Sequence, residues 1–288
     1  MQNPSRTPAD LVIKPRNVML GRGEKCLRWW KGGDPVATAF YNTLSAVFPV
    51  GEAFFIDSVR HYRDSLPPDL QRQVDAFIKQ EAVHSREHAF LNKQIREAGF
   101  DLSRMEAETN DWRAQTKDDP PDVNLAVTVA TEHLTAIIAH ALLKTDRHFR
   151  HDPPEISRLW KWHAIEEIEH KSVAFDTFCA VTRDLSRYER WKFRSMVLLV
   201  VSWEFVTERV RYMRDLFKQD GIDKPSIWLR TFWYLLVYPG VFRQIFPAWL
   251  AFFRPNFHPW QQDDRELIAK TEVGLALRVV GQSAASES

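Results

Sequence analysis

Apolar positions recur at helical spacing through four long stretches of this chain, each fenced by a proline-containing break. The first runs from about residue 36 to 65. It is entered through Asp34-Pro35, an aspartate able to cap and a proline suited to the first turn. Pro49 and Gly51 interrupt it and predict a kink just ahead of Glu52. Leu66-Pro67-Pro68-Asp69 stops that helix and starts a second, from about 69 to 98, closing at Gly99. Residues 100–121 are polar, end in Asp118-Asp119-Pro120-Pro121 and read as a long crossover. In the third stretch, about 122 to 148, Leu125, Val129, Leu134, Ile137, Ile138, Ala141 and Leu142 keep close to the helical period. His151-Asp152-Pro153-Pro154 separates it from a fourth helix over about 155–184. No stretch shows convincing strand alternation.

Beyond Arg183 the pattern changes. Residues 189–218 form a helical run with an apolar middle from Met196 to Trp203, and residues 226–253 are dense in Trp, Phe and Tyr. The prediction is an all-α protein, a four-helix bundle with additional aromatic-rich C-terminal helices. Its parts are a lead-in over 1–34, the bundle over 35–185, apolar helices over 186–262 and a tail over 263–288 whose small, polar end is expected to be disordered.

With 288 residues the chain is long enough for one large core and an appendage. A net charge of +1 implies no polyelectrolyte partner, which argues against nucleic acid. Two cysteines, Cys26 and Cys179, do not make a disulfide framework and point to a reducing compartment. Residues 1–20 carry proline and charge without an apolar run, so no secretory leader is read there and a cytoplasmic location is expected.

The candidate chemistry lies in two helical words, Glu81-x-x-His84 and Glu167-x-x-His170, each preceded by a lone glutamate in an apolar helix, Glu52 and Glu132. At helical pitch the members of each word stand about 60° apart on one face. A four-helix bundle uses that order, Glu, Glu-x-x-His, Glu, Glu-x-x-His, to hold two metal ions. Four carboxylates would neutralise two divalent ions, and the mixed oxygen and nitrogen donors suit iron, with manganese or zinc as alternatives. A single Glu-x-x-His is ordinary on a solvated helix face; it is the pairing, with Glu132 deep in an apolar run, that favours metal. His163, four residues before Glu167, and His88, four after His84, share those faces and are further candidates. Glu166 and Glu169 read as surface charges, although Glu166, four residues before His170, could replace Glu167 in the pattern. His133 reads as a helix-contact residue.

Four segments, residues 42–60, Gln80–His88, His163–His170 and Phe257-His-Pro-Trp260, resemble a bacterial family labelled "predicted metal-dependent hydrolase", over roughly residues 28–262. That resemblance implies a ferritin-like bundle and a metal-dependent reaction. The ligand order is also similar to that of di-iron N-oxygenases acting on aryl amines. Transferred residue by residue, it implies the ligands Glu52, Glu81, His84, Glu132, His163, Glu167 and His170, with His88 as an eighth candidate.

Three functions compete: a di-iron oxygenase or oxidase fed by an electron donor, a two-metal hydrolase, and a non-enzymatic metal or iron-storage protein. Glu-rich ligation inside a bundle favours the first, on a small apolar or lipid-like substrate. The aromatic segment 226–260 has its own alternatives: extra core packed on the bundle, a peripheral membrane contact, or a homodimer surface.

Overall fold

The computed structural model describes residues 7–275 and is helical, with no strand among the described residues. Its α-helices in chain order are α1 (Pro35–Arg60), α2 (Pro68–Glu97), α3 (Ser103–Gln115), α4 (Pro121–Leu143), α5 (Pro154–His170), α6 (Val173–Val181), α7 (Arg187–Gln219), α8 (Pro225–Leu236), α9 (Val241–Ala251) and α10 (Arg265–Leu275).

Helices α1, α2, α4 and α5 form the bundle, and each opens on a proline whose missing N–H costs nothing in a first turn. Asp34 caps α1 by accepting from the Val36 and Ala37 amides. Helix α4 is apolar almost all round because it is the core element, touching α1, α5, α6, α7 and α9. Pro49 does not end α1. Proline cannot donate to the Ser45 carbonyl four residues earlier, and Asn92 of α2 supplies that bond instead through Nδ2 at 2.9 Å.

Three boundaries differ from the sequence expectation. The crossover contains a helix, α3, which carries no apolar stripe. Met105 is its one fully buried side chain, and Trp112 rests on Phe54 at 4.8 Å between ring centroids. Its stability is tertiary, which is why hydrophobic periodicity does not reveal it. The fourth predicted helix is broken at Lys171-Ser172, one residue after His170. There Lys171 turns inward to donate to Asp264 Oδ2 at 2.6 Å and the Gln262 carbonyl at 2.7 Å. The predicted tail begins with ordered chain. Helix α10 packs on α5 and buries Ile268, while the end expected to be disordered, 276–288, lies outside the described residues.

The lead-in is irregular but does not hang free. Arg16 is fully buried, and the Leu20 amide donates to Glu87 Oε2 at 2.8 Å. Helices α7, α8 and α9 cover the α1 and α4 side of the bundle, burying Leu198, Leu216, Ile227, Leu235 and Ile245. Cys26 and Cys179 are unpaired thiols.

Candidate metal centre

Seven side chains from the four bundle helices converge. Helix α1 presents Glu52, α2 presents Glu81 and His84, α4 presents Glu132, and α5 presents His163, Glu167 and His170. None is more than 4% exposed. They form three overlapping groups: Glu52, His84 and His163; Glu81, His84 and Glu167; Glu81, Glu132 and His170. Within each group one donor atom per residue lies within 4.8 Å of the others. Glu81 and His84 are shared, so the groups make one continuous centre. His88 belongs to none of them.

His170 Nε2 lies 3.2 Å from Glu81 Oε1, 3.5 Å from Glu132 Oε2 and 3.6 Å from Glu167 Oε1. His84 Nδ1 stands 3.6 Å from Glu167 Oε1 and 3.8 Å from Glu81 Oε1, and His163 Nε2 is 2.9 Å from Glu167 Oε1. Both carboxylate oxygens of Glu52, Glu81 and Glu132, and both ring nitrogens of His84 and His170, lack a hydrogen-bond partner. Buried polar atoms are normally paired, and the carboxylate oxygens that face His84 Nδ1 and His170 Nε2 share with them a common explanation in a bound cation. The electrostatics agree. Burial, then the Glu81 charge, pushes the Glu52 carboxyl well above its ordinary range; burial, then Glu167 and Glu81, does the same to Glu132. Burial opposes the His84 charge, yet Glu166 and Glu81 outweigh it and hold the imidazolium well above its usual value. Without a cation these carboxylates repel one another; two divalent ions would relieve all of them. The mixed oxygen and nitrogen donors fit iron or manganese, and also zinc.

Behind this centre stands a second tier. His88 Nε2 contacts His163 Nδ1 at 2.7 Å, and His88 Nδ1 contacts Ser45 Oγ at 2.9 Å. Ser45 Oγ in turn donates to Asn92 Oδ1 at 2.7 Å. The structure therefore places His88 where it orients His163, not with the grouped donors. Glu166 and Glu169, expected at the surface, are buried. Arg16 binds both, at 2.9 Å to Glu166 Oε1 and 2.6 Å to Glu169 Oε1, and Trp162 Nε1 donates to Glu166 Oε1 at 3.0 Å. The other oxygen, Glu166 Oε2, stands 3.2 Å from His84 Nε2, on the far side of that ring from the centre. Burial of two adjacent carboxylates becomes tolerable because a guanidinium from the lead-in lies between them.

Nothing local marks Arg16 in the sequence. Asn92 was legible: Glu81, His84, His88 and Asn92 fall at spacings of three, four and four on one face of α2. His133, next to Glu132, turns away and packs between Phe252 and Phe257 at 4.7 and 5.2 Å.

A cavity of about 160 Å³ adjoins the centre. Phe48, Phe55, Leu134, Ile138, Trp160 and Phe205 form much of its wall, and Glu52, His163 and Glu167 border it. The cavity thus borders one side of the seven-residue cluster, and Glu204, Glu208 and Arg209 add charged groups to its lining.

Residues 14–263 match the family described as predicted metal-dependent hydrolase, and the chain belongs to that family. No curated protein and no solved structure matches it.

Proposed function

We propose that this metal-dependent hydrolase family member is a non-haem di-iron carboxylate enzyme that activates O₂ to oxidise a small apolar substrate. The observation that carries the reading is the junction of seven buried donors with an apolar cavity. Glu52, Glu81, Glu132 and Glu167 would supply four negative charges, and His84, His163 and His170 three neutral nitrogen donors. Two bound ferrous ions would supply two electrons for reducing O₂, the substrate would supply two more, and an external electron donor would return the ions to the ferrous state, a chemistry that no side chain of this site offers. The protein's own part is orientation and exclusion. Glu166, held by Arg16 and Trp162, faces His84 Nε2 and leaves Nδ1 directed at the centre. His88 fixes His163. Phe48, 5.0 Å from the His163 ring, and Trp160 line the approach and limit water there.

The family's description favours a second reading, metal-dependent hydrolysis. In that case the metals would activate water and polarise an ester or phosphoryl oxygen. A largely apolar wall suits a hydrophobic substrate for either reaction, and the Glu-rich donor set enclosed in a bundle is what favours oxidation.

Anaerobic loading with ferrous ion followed by exposure to O₂ separates the two. Expected are about two irons bound per chain, O₂ uptake in proportion to iron, and a change in the visible spectrum. No O₂ uptake, together with ester or phosphoester turnover on zinc or manganese, overturns the oxidative reading and leaves the hydrolytic one.

A further inference from the structure

Helices α7, α8 and α9 are apolar on two sides. Their inner rows pack on the bundle, while outer rows at helical spacing stay in solvent: Val200 and Trp203 on α7, Leu229, Phe232 and Trp233 on α8, and Phe246 on α9. All six are more than half exposed, Trp203 at 71% and Leu229 at 72%. The three helices lie against one another. Trp249 of α9 donates to Ser202 of α7 at 2.9 Å, Phe242 of α9 approaches Phe205 of α7 at 6.4 Å, and Trp228 of α8 meets Phe217 of α7 at 5.5 Å. These contacts join the three helices into one layer whose outer side carries the exposed rows, and apolar side chains exposed in such number mark a surface with a partner.

We propose that this outer α7–α9 face docks on a bilayer containing anionic phospholipid. Its charge selects that occupant. Residues 187–260 carry twelve Lys and Arg against six Asp and Glu, in a chain whose net charge is only +1. Lys192, Lys224, Arg230, Arg243 and Arg254 are exposed on the same three helices and their ends. Arg147 adds a cation 5.5 Å above the exposed ring of Tyr238. Tryptophan and phenylalanine interleaved with arginine are the side chains that settle at headgroup level, their rings in the acyl boundary and their charges on phosphate. A self-complementary dimer would bring these cations against their own copies. Glu204, exposed beside Trp203, and the half-buried Glu208 are the acidic groups on this part of α7, and both border the cavity.

The same helix that presents Trp203 outward supplies Val201 and Phe205 to the cavity wall. Docking therefore sets the cavity beside a store of apolar compounds. That delivery role rests on the proposed oxidative function; docking itself does not.

The test is flotation of the full-length, iron-loaded protein with phosphatidylcholine vesicles, with and without phosphatidylglycerol. Expected is association with the anionic vesicles, weaker association with the neutral ones, and partial release by salt. The triple variant L229S/F232S/W233S should keep the wild-type circular dichroism and partition about tenfold or more weakly. Arg243→Glu should reduce the preference for anionic vesicles. If the triple variant misfolds, Trp203→Ser tests the same face from α7. Wild-type protein that ignores both vesicles overturns the proposal, as does a folded triple variant that binds like wild type. A wild-type dimer that the triple variant splits, without vesicle binding, assigns the face to a second copy and also overturns it. Vesicle binding is read without turnover, so its failure is distinct from failure of the oxidative reading.

Discussion

His88 Nε2 lies 2.7 Å from His163 Nδ1, and the groups behind His88 decide which of the two carries the proton. Pro49 leaves the Ser45 carbonyl without its helical donor, so the Asn92 amide nitrogen must face that carbonyl. Asn92 Oδ1 is then turned to accept from the Ser45 hydroxyl, and Ser45 Oγ accepts from His88 Nδ1–H. His88 Nε2 is therefore a lone pair. It accepts from His163 Nδ1–H, so a metal ion that displaces the proton between His163 Nε2 and Glu167 Oε1 meets the Nε2 lone pair. A metal-ligating imidazole needs that tautomer.

Replacing His88 by alanine removes this control, and iron affinity is expected to fall about 10- to 100-fold. His88→Gln offers an amide in place of the ring and should restore part of the loss. Chelator competition with ferrous ion measures both.

Asn92→Leu acts from one step further back. The Ser45 hydroxyl is then free to donate to His88 Nδ1, which reverses the proton order through His88 to His163. Metal affinity should drop although residue 92 is three hydrogen bonds from His163. Nitrogen NMR of the histidine rings should show the changed tautomers, a signal that simple loss of packing would not produce.

Arg16→Met leaves Glu166 and Glu169 buried without their guanidinium. Breaking one partner out of a buried ion cluster costs about 3 to 5 kcal/mol. Urea melts should show that loss, and His84, deprived of a fixed Glu166, should hold iron less tightly.

Gly51 occupies an interior turn of α1 and borders the cavity, and a Cβ there would meet only Phe55 at 3.9 Å. Gly51→Ala should therefore stabilise the fold by about 0.5 to 1 kcal/mol. Benzene is expected to raise the melting temperature of the wild type by entering the cavity, and Gly51→Leu, which fills part of it, should abolish that effect.

His148 is buried, and burial, then the charges of Lys31 and Arg147, lowers its pKa to about 4 from 6.5. The unfolded chain takes up this proton near pH 6.5, the folded chain only near 4. Acidification between those values thus favours unfolding, while above pH 6.5 the group is neutral in both states and contributes no slope. The difference amounts to about 3 kcal/mol by pH 4. Urea melts of His148→Gln across pH 4–7 should be flatter than wild type by that amount.

Local chemistry along the chain determined the four bundle helices, the prolines that open them, and eight candidate Glu and His positions, of which the resemblance to a known ligand order named seven. These follow from period, capping and spacing, which are properties of neighbours in sequence. Helix α3 escaped that reading because contact with the bundle, and no apolar stripe of its own, holds it. The break after His170 depends on Lys171 reaching Asp264, 93 residues away. Only the tertiary structure decided that Glu166 and Glu169 lie inside, because their partner Arg16 is about 150 residues distant. It also decided that His88 serves His163, since Ser45 and Asn92 meet only when α1 packs on α2. Burial of charge and the direction of a proton are set by groups remote in sequence, so spacing nominates the donors while packing assigns their duties.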